Sequence, residues 1–222
     1  MTERADLLLL ALVAIDLYIV GTSRLIARIR ASALQGVVLA ALVFVLRGPS
    51  AMQSREGMAH LAATVLGTLL VKAVIIPVFL SKALRDSGVR REVEPFVSLH
   101  VSLLVAGALV GMSFWLGSLV PLPSPDGSPL ALPAGLSTLL VGLYLTVNAK
   151  KDLTRVIGYL VAEHGVFVIG QVVVGELIVV DVGVLLDVLV AVMLMAILFV
   201  RVDQTDRPTE PTTTDPTKER KT

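Results

Sequence analysis

Apolar residues fall into seven blocks separated by short polar or basic turns, at roughly 5–22, 31–47, 60–81, 96–120, 134–149, 153–174 and 177–200. Most blocks are about 17–25 residues long, the length at which a helix crosses the hydrocarbon core of a bilayer. The pattern predicts an all-α, polytopic membrane protein with about seven transmembrane helices in a single domain over residues 1–201. Only Gly175 and Glu176 mark the turn between the sixth and seventh blocks, so one long re-entrant element is the alternative there. Residues 121–133 (PLPSPDGSPLALP) read as an irregular connection because of their prolines and glycine. Residues 202–222 (VDQTDRPTEPTTTDPTKERKT) are rich in Thr and Pro and nearly free of apolar side chains, which predicts a disordered tail.

The distribution of charge orients the spans. Arg24, Arg28, Arg30, Lys82, Arg85, Arg90, Arg91, Lys150, Lys151 and Arg155 fall on one side, against Arg4, Arg47 and Arg55 on the other. A bias of ten to three places the N-terminus outside and the C-terminal tail in the cytoplasm. Glu3, Arg4 and Asp6 give no basic n-region, and Asp16 interrupts the first apolar run, so this run reads as a retained helix rather than a cleaved signal.

Composition narrows the chemistry. The chain has 222 residues, 55% of them hydrophobic, and a mean hydropathy of +0.84, outside the usual range of soluble domains. With no cysteine it holds no Cys-ligated iron–sulfur cluster, thiolate nickel site or disulfide of its own. His60, His100 and His164 are far apart in the chain and show no metal-ligand spacing. No Walker loop, GxSxG elbow or dinucleotide fingerprint is present. No catalytic residue, metal or cofactor is therefore assigned, and the expected surroundings are the lipid bilayer, with no nucleic acid.

Candidate chemistry lies in the ionisable groups at bilayer depth. Each costs about 2.5–3.5 kcal/mol on insertion scales, so such groups are rare and by default functional. Lys72 lies in the third block, Glu163 and His164 near the middle of the sixth, and Asp187 near the middle of the seventh. Tyr159, Glu163 and Gln171 share one helical face, which Asp152 extends towards the cytoplasmic end. The functional reading of Glu163 is a carboxyl that gains and loses a proton; the alternative is a fixed, hydrogen-bonded structural group. His164 points about 100° away from Glu163 and is either a proton relay or a packing residue. Lys72, with Thr64 and Thr68 on its face, is either a proton-carrying amine or a fixed counter-ion to Glu163 or Asp187. Pro77 predicts a freed backbone carbonyl near residue 73 and a kink.

Other polar residues read more plainly. Glu176 and Asp181 are rim charges, and Asp16 pairs with Arg24 or Arg28 by snorkelling. Gln35, His100 and Asn148 are interhelical hydrogen bonders near span ends. Gly107 and Gly111 form a GxxxG that allows close helix approach, and Trp115 sits towards the outer interface.

The run from Gly142 to Val202 resembles the C-terminal part of the hydrogenase-4 component E family. It carries a basic turn before Arg155, then Gly158, Tyr159, Glu163 and Gly165, and Asp187 in the following span. VKAVIIPVFL around Lys72 and Pro77 resembles the family's third span, and SALQGVVLAAL around Gln35 its second. The family comprises membrane subunits of formate-hydrogenlyase-like and other group 4 nickel–iron hydrogenase complexes. Residues 134–201 also resemble the three-helix subunit K of respiratory complex I, which has a carboxylate in each of its last two helices; Glu163 and Asp187 take those places here. Two departures stand out. Leu160 occupies the position of subunit K's first carboxylate, with Glu163 about one turn on. His164 follows Glu163 where the hydrogenase family has Asn.

The resemblance implies a non-catalytic membrane subunit of a complex-I-like oxidoreductase, partnered by antiporter-like subunits and a peripheral redox arm. Lys72, Glu163, Asp187 and His164 would then contribute to proton or sodium movement, supported by Tyr159, Gln171 and Thr68. A purely structural assembly subunit and a standalone secondary transporter are the alternatives. The absence of an obvious inverted repeat or of paired glycine-broken helices weighs against the transporter.

Overall fold

A computed structural model describes residues 2–86, 97–120, 128–150 and 152–173, together with Val192. Apart from Val192, the seventh apolar block with Asp181 and Asp187 lies outside the described residues, as do Glu176, the tail from residue 202 and residues 121–127 of the long connection.

Every element among the described residues is helical: α1 (Thr2–Gly21), α2 (Leu25–Ala51), α3 (Arg55–Thr68), a π-helical turn (Leu69–Ile75), α4 (Ile76–Asp86), α5 (Leu99–Leu119), α6 (Ala131–Val147) and α7 (Asp152–Val173). α3, the π turn and α4 form one continuous rod. Four segments are long and apolar enough to cross a membrane: α2, the rod Arg55–Arg85, α5 and Asp152–Gln171 of α7; α6 is a shorter apolar helix. α1 has 20 residues but carries Glu3, Arg4, Asp6 and Asp16.

Local signals explain several boundaries. Ser54 caps α3, its hydroxyl accepting the Gly57 N–H at 2.9 Å, and Glu56 lies in the positive first turn. α2 runs well past the apolar block at 31–47, to Ala51 through Pro49 in its last turn. The rod changes from α to π winding just before Pro77. The Ile76 N–H reaches the carbonyl of Val71, five residues back, and Pro77 has no N–H to continue the ladder. The disturbance expected from Pro77 is thus an overwide turn that contains Lys72.

The tightest interface joins α6 to α7 and is built on glycine. An added Cβ at Gly142 would lie 2.1 Å from the Ala162 nitrogen, one at Gly165 2.3 Å from the Leu139 nitrogen, and one at Gly158 2.5 Å from the Thr146 nitrogen. Gly135 and Gly142 are one heptad apart, as are Gly158 and Gly165, so both pairs face the same seam. The expectation placed on Gly107 and Gly111 is corrected here. Among the described residues neither has any atom within 4 Å of an added Cβ, and both lie on a face of α5 that these residues leave exposed. Close approach follows the heptad glycines of α6 and α7 instead, where the two backbones meet.

Two apolar clusters fill the interior. One gathers Ile19, Val20, Leu25, Ile29, Ile76, Leu80, Val141, Leu145, Val156 and Ile157. The other gathers Leu9, Leu12, Leu39, Leu42, Val43, Leu61, Ala134, Phe167 and Val168. Along α1, α2, the rod, α6 and α7 the chain passes from one cluster to the other. In each case it crosses a buried polar residue between them: Asp16, Gln35, Lys72, Thr138, and Glu163 with His164.

Candidate functional site: a buried polar layer

Lys72 and Glu163 meet at the centre of this layer. The Lys72 ammonium donates to Glu163 Oε1 in an ion pair whose two side chains are 2% and 1% exposed. The same ammonium lies 5.5 Å from the ring centroid of Phe167, one turn beyond Glu163 on α7, within cation–π range. Gly36 of α2 lets the rod approach closely here. An added Cβ would sit 2.9 Å from the Lys72 carbonyl carbon and 3.0 Å from the Ala73 nitrogen. The π turn, Gly36 and Phe167 together hold the Lys72 side chain against α7.

His164 leaves α7 in a different direction from Glu163, as a 100° step requires. Its Nδ1 lies 3.2 Å from Gln35 Oε1. Gln35 Nε2 donates to Asp16 Oδ1 at 2.6 Å, and Thr138 Oγ1 is 2.6 Å from Asp16 Oδ2. Asp16, Gln35 and Thr138 have no measurable exposure, and His164 is 1% exposed. The layer thus has two arms: Lys72–Glu163, and Thr138–Asp16–Gln35–His164. They share α7, where Glu163 and His164 are adjacent. Lys72 is close enough to act electrostatically on the His164 ring.

The expectation for Asp16 is corrected. It does not snorkel to Arg24 or Arg28; its two oxygens take Gln35 and Thr138 in the interior. Arg28 Nε donates instead to the Thr22 carbonyl at 2.9 Å. Gln35 is an interhelical hydrogen bonder, but between two buried titratable groups rather than near a span end. Asn148 fits its reading, its amide 3.3 Å from Ser102 Oγ on α5. His100 does not: it is exposed and makes no hydrogen bond among the described residues. Asp152 is exposed and pairs with Arg155 at 3.4 Å, so it adds nothing to the buried face.

The supporting residues extend the layer towards the end of the bundle where α2 ends and α3 begins. His60, Thr64, Thr68 and Lys72 recur at four-residue intervals, and exposure falls along them from exposed His60 to half-buried Thr64, buried Thr68 (9%) and Lys72 (3%). A cavity of about 180 Å³ opens beside the outer part of this stripe, lined by Arg47, Ser50, Gly57, His60, Leu61 and Thr64. Arg47 also donates from Nε to Gln171 Oε1 at 2.9 Å, tying α2 to α7. Tyr159 is half-buried, one turn from Glu163 on the other side.

A buried Lys–Glu pair, with a second carboxyl and an imidazole linked by an amide at the same level, can exchange protons at its titratable groups or hold compensating charges. Among the described residues no group of three or more His, Cys, Asp or Glu is placed to hold a metal ion. The sequence flagged Lys72, Glu163 and His164, and the structure brings all three into one layer. Sequence reading undervalued Asp16, Gln35 and Thr138. The available signal was their place: each is a lone polar side chain inside an apolar run, at the depth of the others.

No family model matches this chain, and no solved structure does. The chain is similar to the uncharacterized protein Rv0085 of Mycobacterium tuberculosis (strain ATCC 25618 / H37Rv), at 28% identity over 189 residues, covering 84% of this chain and 83% of the relative.

Proposed function

We propose that this protein is a non-catalytic integral membrane subunit of a complex-I-like, energy-converting oxidoreductase of the group 4 hydrogenase type. Its polar layer contributes to proton (or sodium) movement in a prokaryotic inner membrane. The observation that carries the reading is the layer itself. Five helices each place a buried polar group at one level between two apolar clusters, with a Lys–Glu pair at its centre. A protein that only needed anchoring would gain from apolar residues there, because a buried ion pair contributes little or nothing to stability relative to well-packed apolar side chains.

Three further points support it. The cavity opens as far in as Thr64, and the polar stripe continues from there through buried Thr68 to Lys72, a direction from which water and ions would approach. The family resemblance around Glu163 supplies the hydrogenase type. The absence of cysteine leaves Cys-ligated nickel and iron–sulfur chemistry to other subunits. On this reading Lys72, Glu163 and His164, with Asp187 of the seventh apolar block, change charge state as electrons move elsewhere in the complex. Seven spans, an outside N-terminus and a cytoplasmic tail belong to the same proposal.

Mild-detergent purification of the tagged protein from its native membrane, with mass spectrometry of what accompanies it, tests the partnership. Antiporter-like membrane subunits and a nickel–iron or iron–sulfur arm are expected. Recovery of the protein alone, from a preparation that keeps other membrane complexes whole, contradicts the reading and favours a standalone ion transporter.

A further inference from the structure

The arm through Asp16 and Gln35 meets the ion-pair arm at α7, where His164 follows Glu163, and its chemistry differs. A carboxylate accepts hydrogen bonds and donates none, whereas a primary amide has one end of each kind. With Asp16 Oδ1 accepting on one side, Gln35 turns its NH2 towards Asp16, at 2.6 Å from Nε2 to Oδ1. Its carbonyl oxygen then faces His164, 3.2 Å from Nδ1. An amide oxygen can only accept, so the proton between them belongs to the ring. In the neutral imidazole one nitrogen carries hydrogen and the other a lone pair.

We propose that Asp16 and Gln35 are positioning residues that hold His164 as its Nδ1–H tautomer, leaving the Nε2 lone pair as the site where His164 takes up a proton. Thr138 completes the device by anchoring the second oxygen of Asp16 at 2.6 Å, so the carboxylate cannot turn away from Gln35. Among the described residues, the groups facing this arm are few. Asp16 meets Gln35 from α2 and Thr138 from α6. His164 meets Gln35 from α2 and the charge of Lys72 from the rod, with Glu163 beside it on α7. An amide nitrogen does not readily release its proton, so the Asp16–Gln35 link orients the ring and does not conduct. The inference rests on the proposed ion path for its purpose, but its test needs no transport.

The test is nitrogen NMR of 15N-histidine-labelled protein in lipid nanodiscs. The His164 signals are identified by their loss in His164→Gln. Protonated Nδ1 and unprotonated Nε2 are expected for the unaltered protein. Asp16→Asn is nearly isosteric, but its amide can donate as well as accept, so Gln35 can turn over and present its NH2 to the ring. The expected result is loss of the single Nδ1–H signature and appearance of the Nε2–H form. Gln35→Leu removes the acceptor and is expected to abolish the preference, which keeps the test open if Asp16→Asn does not fold. An Nε2–H or doubly protonated ring in the unaltered protein overturns the proposal, and so does an unchanged Nδ1–H signature in either Asp16→Asn or Gln35→Leu. Neither outcome bears on whether Glu163 takes part in ion movement.

Discussion

Lys72→Met is expected to destabilise the protein by about 3–5 kcal/mol, read as a large loss of folded protein on heating in mild detergent. The reason is asymmetric. Lys72 and Glu163 are almost wholly removed from solvent, and removing one partner leaves the other charge in an interior that cannot hydrate it. Glu163→Gln in the same chain is expected to recover most of the loss, because the pair is then neutral on both sides. Methionine also keeps the length needed to cover the Phe167 ring. The double variant separates two roles, since it restores a tolerable interior but holds no exchangeable charge at either position. Wild-type stability in Lys72→Met alone would mean that the pair is not buried as described.

Gly142→Ala is the second large effect. Its Cβ would lie 2.1, 2.6 and 2.8 Å from the nitrogen, Cα and Cβ of Ala162, so no rotamer change relieves it and the α6–α7 seam must open. Overpacking costs about 1–3 kcal/mol where a core can adjust, and a backbone-to-backbone clash belongs at or above the upper end. Opening the seam also shifts Glu163 and His164, which lie on the α7 helix that forms it. Gly107→Ala and Gly111→Ala, with nothing within 4 Å, are expected to change stability by less than about 0.5 kcal/mol. Thermal melts of the three variants check the contrast. Equal damage from Gly107→Ala would locate the close contact on α5 instead.

These two contrasts show what was legible in the sequence. Helical spans were legible because hydrophobic length is a direct physical requirement of the bilayer. Lys72, Glu163 and His164 were legible because charge at depth is expensive wherever it occurs. Their meeting was not, since a residue's depth along its own helix says nothing about the rotation of its neighbour. Asp16 was misjudged because a carboxylate near arginines in sequence invites a local pairing, whereas its partners come from α2 and α6, 19 and 122 residues away. Gly107–Gly111 was favoured over Gly135–Gly142 and Gly158–Gly165 because the four-residue motif is visible within one helix. The heptad seam acquires meaning only when two consecutive helices are compared. Pro77 announced a disturbance in the rod. Its form, a π turn around Lys72 held against Gly36, depends on packing that local sequence does not express.

The measurement that bears most directly on the ion path is proton movement per electron in inverted membrane vesicles containing the Glu163→Gln complex. Assembly and redox turnover are verified in the same preparation. The expected result is an assembled complex that still transfers electrons but has lost most of its coupled proton movement. Unchanged proton movement per electron in that complex would contradict a titrating role for Glu163 and leave the Lys72–Glu163 pair as a structural feature.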